Sequence, residues 1–243
     1  MELRERVALV TGAGHRVGRA IAMGLAREGA RVAVHYNETA DGARSVVESI
    51  RAQGGDAFAV AADLSDPVAA ARLVDAAADH WGTLDVLVNS AGVMRRTPVG
   101  SVTPADWDAI FAINLRAPFF AAQAAAARMG VRGGAIVNIA DLAGLETWSE
   151  YVPHGISKAG VIQLTRALAH AMAPHVRVNA VAPGAVLLPA AWDEAAAAHL
   201  VATTPLRRLG TPEDVVGAVL YLLHADYVTG ETIVVDGGRR VRV

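Results

Sequence analysis

The stretch VALVTGAGHRVGRAIAMGLAREGARVAVHYN, residues 7–37, decides the fold of this chain. It opens with an apolar, β-branched run, passes through a glycine-rich turn into a helical pattern at residues 17–28, and ends in a second apolar run at residues 31–35. Nearly unbroken apolar strands that alternate with helices are typical of a parallel sheet covered on both faces. The stretch therefore predicts the first β-α-β unit of a doubly wound α/β fold.

The same alternation continues along the rest of the chain. Strand-like runs follow at residues 57–61, 85–89, 135–139, 177–181 and 232–235, and helical patterns at 41–53, 68–80, 104–129, 154–172 and 212–223. Each Thr-Pro pair, at 103–104 and 211–212, places a capping hydroxyl before a proline, which is a signal for a helix start. We predict a single α/β domain over residues 1–243, a doubly wound parallel sheet with right-handed crossovers and helices on both faces.

Composition narrows the class of protein. The 243 residues are 53% hydrophobic, carry a net charge of -2 and include no cysteine, which excludes disulfides, thiolate zinc sites and cysteine nucleophiles. This charge gives no general attraction to nucleic acid or to an anionic membrane. The N-terminus enters a strand pattern directly, the apolar runs are too short for a membrane span, and the scattered histidines predict no metal site. We expect a soluble cytoplasmic chain.

The glycine-rich turn after the first strand suits a phosphate group. Glycine lets backbone N–H groups approach a pyrophosphate, and the start of the following helix adds partial positive charge. The spacing differs from G-x-G-x-x-G, so the position between a strand and a helix carries this prediction, and a purely structural tight turn is the alternative. We predict dinucleotide contacts from Gly12, Gly14, His15, Arg16, Val17 and Gly18.

The end of the second strand favours NADP(H) over NAD(H). Folds that prefer NAD place an acid here, whereas this chain has His35, Tyr36 and Asn37, with no carboxylate before Glu38. Arg16 in the phosphate turn could neutralise an additional phosphate. The alternative is that His35 only caps the strand and Arg16 only faces solvent.

Two further strand ends are candidates for cofactor contacts. Asp63, followed by Leu64, could accept a hydrogen bond from the adenine amino group or could cap the helix that begins near Pro67, and the sequence leaves both open. The fourth strand ends beside the predicted switch point in small residues that permit close approach of a cofactor. These residues are Asn89, Ser90, Ala91 and Gly92.

In this order the motifs resemble the short-chain dehydrogenase/reductase family over nearly the whole chain. The matching pieces are TGAGHRVG at 11–18, DL at 63–64, NSAG at 89–92, IN at 113–114, IVNIAD at 136–141, SKAG at 157–160, RVNAVAPG at 177–184 and VTGETIVVDGG at 228–238. The resemblance implies a Rossmann-type sheet of seven strands, a nicotinamide cofactor, a small-molecule substrate and a homotetramer. It also implies a water-relay role for Asn114, catalytic roles for Asp141 and Lys158, and cofactor contacts from Lys158, Pro183 and Gly184.

Within the family the chain looks most similar to the pteridine and dihydromonapterin reductases. Arg16, the pair His35-Tyr36, and Asp141 in place of the usual catalytic serine match that branch. The resemblance implies NADPH, reduction of a C=N bond in a pterin ring, and a position of Arg16 near both the pyrophosphate and the substrate. Where eukaryotic pteridine reductases place phenylalanine, this chain has Met94. The predicted substrate-binding residues are Arg16, Met94, Trp148 and Leu187.

The catalytic tyrosine of the family is replaced. Its Y-x-x-x-K motif becomes His154-x-x-x-Lys158, so the role of the tyrosine does not carry over directly. The reference pKa of a tyrosine is about 10 and that of an imidazole about 6.5. Lys158 would favour the neutral ring of His154, while Asp141 would favour the charged ring if the two were in contact.

Three interpretations of this site remain open. His154 is the proton donor, or Tyr151 takes over because it would share one helical face with His154 and Lys158. In the third, the protein binds NADP(H) with little turnover. Two further features surround the predicted site: Trp148, Trp192 and a short helix at residues 191–202 are expected to form a lid, and Arg95-Arg96 a solvated loop.

Overall fold

The computed structural model describes residues 1–188 and 193–241. Strands alternate with helices along this part of the chain, as the apolar runs predict. The strands are β1 (Val7–Val10), β2 (Arg31–Tyr36), β3 (Ala57–Ala61), β4 (Val86–Asn89), β5 (Gly134–Ile139), β6 (Val176–Pro183) and β7 (Thr232–Val235). The helices are α1 (Arg16–Arg27), α2 (Ala40–Ala52), α3 (Ala69–Trp81), α4 (Pro104–Phe111), α5 (Ala117–Met129), α6 (Val152–Met172), α7 (Glu194–Thr203) and α8 (Pro212–His224).

The described strands form one seven-stranded parallel sheet in the order β3-β2-β1-β4-β5-β6-β7. The order reverses direction between β1 and β4, which is the point where doubly wound sheets bind ligands, outside the carboxyl ends of the strands. The predicted Rossmann-type fold with helices on both faces is confirmed.

Two apolar layers explain why the strand sequences are almost continuously hydrophobic. In β1, Ala8 and Val10 pack with α1, α2 and α8 on one face, while Val7 and Leu9 pack with α3, α5 and α6 on the other. Because successive side chains of a strand point to opposite faces, burying both faces demands apolar residues at every position.

Most element boundaries lie within one or two residues of the sequence prediction, and three differences concern elements in or around the predicted site. The helix predicted at residues 104–129 is divided into α4 and α5 by a π-helical segment, Ala112–Arg116, in which the hydrogen bonds skip one additional residue. Helix α6 begins at Val152 rather than at residue 154. The helix predicted at residues 191–202 is α7, which begins at Glu194 after Asp193 caps it through the N–H of Ala196.

The helical stretch Pro104–Arg132 has the length and composition of a membrane span. The same test is passed by core helices of soluble proteins. In this chain Ala121, Ala122 and Ala125 of the stretch are buried against the sheet. This packing accounts for the apolar composition without a bilayer.

Candidate active site

The turn between β1 and α1 brings backbone N–H groups to the carboxyl edge of the sheet. Gly12 has φ +65°, a conformation that favours glycine, and a Cβ on Gly18 would lie 2.3 Å from the carbonyl oxygen of Gly12. The residue before α1, His15, makes no side-chain cap, so its side chain leaves the first N–H groups of the helix for a ligand. The turn therefore has the backbone shape of a phosphate cradle.

His35 joins this turn to the neighbouring strand ends. Its Nδ1 accepts the N–H of Gly12 at 3.0 Å, and Nε2 lies 3.0 Å from the carbonyl oxygen of Ala62, which makes Nε2 the donor. Burial lowers the pKa of His35, and the bond to Ala62 opposes part of this shift. The sequence predicted that His35 contacts the cofactor. For the side chain this is corrected, because both ring nitrogens are hydrogen-bonded within the protein.

Thr11 performs a similar function on the other side of the turn. Its hydroxyl oxygen accepts the N–H groups of Ser90 and Ala91, both at 2.9 Å, and so fixes the end of β4 to the end of β1. Gly12 then packs directly on Ala91. Thr11 was not among the predicted site residues, although it opens the TG pair of the turn.

The other predicted cofactor residues fall into two groups. Asn37 and the carboxylate of Asp63 are exposed at the sheet edge, and Asp63 Oδ1 accepts the N–H of Ser65 at 2.9 Å, which holds a turn rather than capping α3. Side chains of the second group pack inside the protein: Asn89 Nδ2 donates to Asn138 at 2.9 Å, and Leu64 is buried in the core. Val17 and Tyr36 are partly buried against the core. Pro183 is the last residue of β6, and Gly184 follows it.

Four of the five predicted catalytic residues converge at the same edge. Asn114 lies in the π-helical segment, Asp141 follows β5, and His154 and Lys158 lie one turn apart on α6. Gly92 lies beside this group and places no side chain over it. A Cβ there would lie 3.4 Å from Asn114 Oδ1 and 3.5 Å from Lys158 Nζ. The fold thus assembles them from three separate elements.

His154 is almost completely buried, with 3% exposure. Its Nδ1 lies 3.1 Å from the carbonyl oxygen of Val93 and 3.4 Å from Asn114 Nδ2. Its Nε2 lies 3.7 Å from Asp141 Oδ2, beyond hydrogen-bonding distance, and has no hydrogen-bond partner among the described residues. A buried ring nitrogen beside a carboxylate can exchange a proton with a ligand placed between them.

Lys158 belongs to the same group of residues. Its ammonium donates to the carbonyl oxygen of Ile139 at 2.7 Å and retains further N–H bonds for a ligand. Burial lowers the pKa of Lys158, and the carboxylate of Asp141 opposes part of this shift. Gly144 permits the loop after Asp141 to approach, because a Cβ there would lie 2.7 Å from the backbone of Lys158.

Tyr151 precedes the helix that carries His154 and Lys158. It is the N-cap of α6, with φ -133°, and its role as an alternative proton donor stays a prediction. Its ring contacts Trp148 edge to face, with centroids 6.2 Å apart. Glu150 raises the pKa of Arg96 through a hydrogen bond, and Tyr151 contributes to the same shift, which places the phenol near Arg96.

The predicted substrate residues lie on the segments that follow β1, β4, β5 and β6. Arg16 donates to the carbonyl oxygen of Leu187 and so spans the turn after β1 and the loop after β6. Met94 is 42% exposed, while Trp148 is half-buried and donates to Glu146 at 3.2 Å. Trp192, predicted as part of a lid, lies outside the described residues.

The two arginines after Met94 are both paired with acids. Arg95 lies 3.6 Å from Asp106, and Arg96 Nε donates to Glu150 at 2.9 Å. These pairs neutralise the charge that would attract an anionic substrate, which agrees with the expectation of a solvated loop. Within residues 1–188 and 193–241, no three His, Cys, Asp or Glu side chains lie close enough to hold a metal ion.

The edge fits a nicotinamide dinucleotide. A Cβ on Gly18 would collide with the turn, the first N–H groups of α1 have no side-chain cap, and Gly92 leaves the space above Asn114 and Lys158 open. Gly12, Gly14 and Arg16 would hold the phosphates, and Lys158 would hold the end that carries the nicotinamide. Bound there, the nicotinamide would supply or accept a hydride.

Besides Thr11, two residues that contact Asn114 were not predicted from the sequence. Val93 offers only its backbone, which no side-chain pattern identifies, and Ser157 is one residue before the lysine within SKAG. Ser157 was within a quoted motif and could have been identified as a neighbour of His154, three residues earlier on α6.

Comparison with known proteins agrees with this geometry. The family described as enoyl-(acyl carrier protein) reductase matches residues 12–240. The chain is 41% identical, over 96% of its length and 95% of the relative, to a protein assigned as ketoacyl reductase 2 of the granaticin polyketide synthase of Streptomyces violaceoruber. It is 37% identical, over 95% of its length and 96% of the relative, to the 3-oxoacyl-(acyl-carrier-protein) reductase FabG of Staphylococcus aureus.

Solved structures give the same result. A protein from Sinorhizobium meliloti, assigned as a short-chain alcohol dehydrogenase, superposes with a TM-score of 0.95 at 40% identity, covering 100% of this chain and 99% of the other. A blue fluorescent protein from a metagenomic library, solved with NADPH, superposes with a TM-score of 0.92 at 35% identity, covering 98% and 99%. The chain belongs to the short-chain dehydrogenase/reductase family of oxidoreductases, which bind a nicotinamide cofactor.

Proposed function

We propose that this chain reduces a small carbonyl compound with NADPH and that His154 exchanges the proton with the substrate oxygen. The observation that carries the proposal is the unpartnered Nε2 of the buried His154, 3.7 Å from Asp141 and one turn from Lys158. The alternative acid, Tyr151, is the N-cap of α6, and its ring contacts Trp148.

Each residue has a part in this reaction. The protonated ring of His154 would donate from Nε2 to the carbonyl oxygen as that oxygen gains negative charge. Asp141 would stabilise the imidazolium that donates the proton. Lys158, held by Ile139, would orient the cofactor and add positive charge near the reacting oxygen.

A ketone is the substrate class that we favour. Relatives of this chain at 41% and 37% identity carry the names ketoacyl reductase and 3-oxoacyl-(acyl-carrier-protein) reductase. The pterin C=N substrate remains the second candidate, because Arg16 spans the phosphate turn and the loop at Leu187, as a residue that contacts both cofactor and substrate would.

The preference for NADPH rests on the end of β2. Asn37 is exposed there, and the chain offers no carboxylate to the ribose before Glu38. A structural relative was solved with NADPH. We further propose a homotetramer in the cytoplasm, as the family resemblance implies.

The alternative from another class is an NADP(H)-binding protein with little turnover. It would use the same cofactor turn and leave the histidine as a buried structural residue. The two proposals differ in one measurable respect, which is oxidation of NADPH in the presence of a reducible substrate.

The test is NADPH oxidation with 3-oxoacyl thioesters, simple ketones, quinones and dihydropterins. We expect turnover with at least one carbonyl class, a fall of about 10²-fold or more in His154→Ala, and little change in Tyr151→Phe. NADPH binding without turnover in the wild type, together with activity in His154→Tyr, would establish the binding protein instead.

A further inference from the structure

The hydrogen-bond partners of the buried Asn114 amide determine which group accepts each of its two hydrogens. The N–H of Val93 donates to Asn114 Oδ1 at 2.8 Å, which fixes the orientation of the amide. The amide nitrogen then faces two acceptors, the carbonyl oxygen of Val93 at 2.9 Å and Ser157 Oγ at 3.0 Å. An amide has two N–H bonds, so both are engaged.

Ser157 can act only as an acceptor toward this amide. Its own hydroxyl hydrogen is donated to the carbonyl oxygen of His154 at 2.7 Å. Asn114 Nδ2 therefore has no hydrogen left for the histidine ring, although it lies 3.4 Å from Nδ1. The remaining neighbour of Nδ1 is the carbonyl oxygen of Val93, at 3.1 Å.

This arrangement assigns the proton of the neutral ring. A carbonyl oxygen accepts and cannot donate, so Nδ1 of His154 must carry the hydrogen that it gives to Val93. A carbonyl oxygen has two lone pairs, and these receive one hydrogen from Asn114 and one from His154. The neutral ring then presents a bare lone pair at Nε2, the buried atom without a described partner.

We propose that Asn114 is a positioning residue which, through the Val93 peptide, holds His154 in the Nδ1–H tautomer. The neutral ring consequently recognises a hydrogen-bond donor at Nε2. The group that suits it is a hydroxyl, as in the alcohol product of the proposed reduction, placed between Nε2 and Asp141. This inference rests on the proposed role of His154 in proton exchange.

The direct test is the tautomer of His154 in the full chain. The protein is labelled with ¹⁵N-histidine, and long-range ¹H–¹⁵N correlation spectra are recorded at alkaline pH, with the neutral form identified from its ¹⁵N chemical shifts. The signal of His154 is the one that disappears in His154→Gln. We expect a protonated Nδ1 and a bare Nε2, and a spectrum with the proton on Nε2 would overturn the proposal.

Asn114→Ala tests the positioning role. We expect the His154 signals to move toward the Nε2–H tautomer and turnover to fall about tenfold or more. Unchanged His154 signals in this variant would overturn the role of Asn114. Asn114→Asp, whose second carboxylate oxygen cannot donate to the Val93 carbonyl, is the second variant if the alanine variant does not fold, and unchanged His154 signals there would equally overturn the role of Asn114.

Asn179→Ala is the matched control. Asn179 is also buried and also fixes a loop through its amide, donating to the Val228 carbonyl at 2.8 Å and accepting the Glu231 N–H at 3.0 Å, away from His154. We expect wild-type His154 signals there. The spectrum does not depend on turnover, so an expected tautomer in an inactive protein contradicts the proposed function alone, and the reverse tautomer in an active protein contradicts this inference alone.

Discussion

At the scale of single residues, the chain places two buried histidines in opposite roles. His35 has both ring nitrogens satisfied by backbone groups of the turns at Gly12 and Ala62, whereas His154 has one nitrogen without a described partner. A ring with both nitrogens engaged supports structure, and a ring with an unpartnered buried nitrogen is available for chemistry. The same residue type therefore supports the turn after β1 in one case and is the proposed proton donor in the other.

The neutral state of His35 predicts a loss of stability in acid. Its pKa is lowered on folding from the ordinary value of 6.5, mainly by burial. Above about pH 6.5 the ring is neutral in both states and contributes no pH dependence. Below it, the unfolded chain binds a proton that the folded ring binds less readily, so the free energy of unfolding decreases until the lowered pKa is reached.

The measurement is urea unfolding from about pH 8 to about pH 5. We expect His35→Gln to be less stable than the wild type at neutral pH and to lose less stability on acidification. His170→Gln, at an exposed position of α6, is the control and should follow the wild-type pH dependence. Parallel curves for His35→Gln and wild type would contradict the prediction.

Gly18 gives a second prediction at this scale. A Cβ there would lie 2.3 Å from the Gly12 carbonyl oxygen, which belongs to backbone that cannot easily move. We expect Gly18→Ala to lose about 1–3 kcal/mol of stability. NADPH affinity, measured by fluorescence titration, should fall because the phosphate turn is displaced.

Gly217→Ala is the comparison variant for Gly18→Ala. Gly217 lies within α8, and a Cβ there meets nothing within 4 Å. Alanine in a helix interior is favoured over glycine, so this variant should gain about 0.5–1 kcal/mol. Equal effects of the two substitutions would show that the close approach at Gly18 does not matter.

At the scale of elements, two helices begin with complete capping boxes. Thr103 and Thr211 each accept the N–H of the residue three positions later, Asp106 and Asp214, whose carboxylates accept the N–H of the threonine. Both starts follow the Thr-Pro signal of the sequence. The negative charge of each carboxylate also interacts favourably with the positive end of the helix dipole.

Thr211→Ala should destabilise the protein by about 1 kcal/mol, because the N–H of Asp214 at the start of α8 loses its side-chain acceptor. Urea unfolding measures the effect. Thr39→Ala is the control, since Thr39 precedes α2 but makes no side-chain cap, and it should cost only a few tenths of a kcal/mol. A similar cost for both would mean that the cap does not stabilise α8.

At the scale of the whole molecule, the parallel sheet decides where function lies. All strands of the described sheet are parallel, so their carboxyl ends share one edge, and the turns after β1, β4, β5 and β6 meet there. A dinucleotide bound across this edge would contact several elements that are far apart in sequence. Such a ligand stabilises the folded state as a unit.

NADPH should therefore raise the melting temperature. At about 100 times its dissociation constant a ligand adds about 2.7 kcal/mol. For a chain of this size that corresponds to roughly 5–10 °C. Thermal unfolding with equal concentrations of NADPH and NADH also tests the proposed preference for NADPH, which rests on the end of β2. An equal or larger rise in melting temperature with NADH would contradict that preference.

The sequence alone determined the architecture and most of the candidate site. Continuous apolar runs specify a sheet buried on both faces, and the Gly12 to Gly18 spacing between a strand and a helix predicts where phosphates would approach, because both signals are local. Asn114, Asp141 and Lys158 were identified from motifs within a resemblance, and the fold brings them together.

Tertiary structure decided what depends on contacts between distant segments. The sequence left His154 and Tyr151 as alternative proton donors, and the structure places Tyr151 at the N-cap of α6, before the helix begins at Val152. It could not show that Val93, 61 residues before His154, supplies the carbonyl that orients the ring. Hydrogen-bond partners of this kind are backbone groups brought close by folding, and no residue type in the sequence marks them.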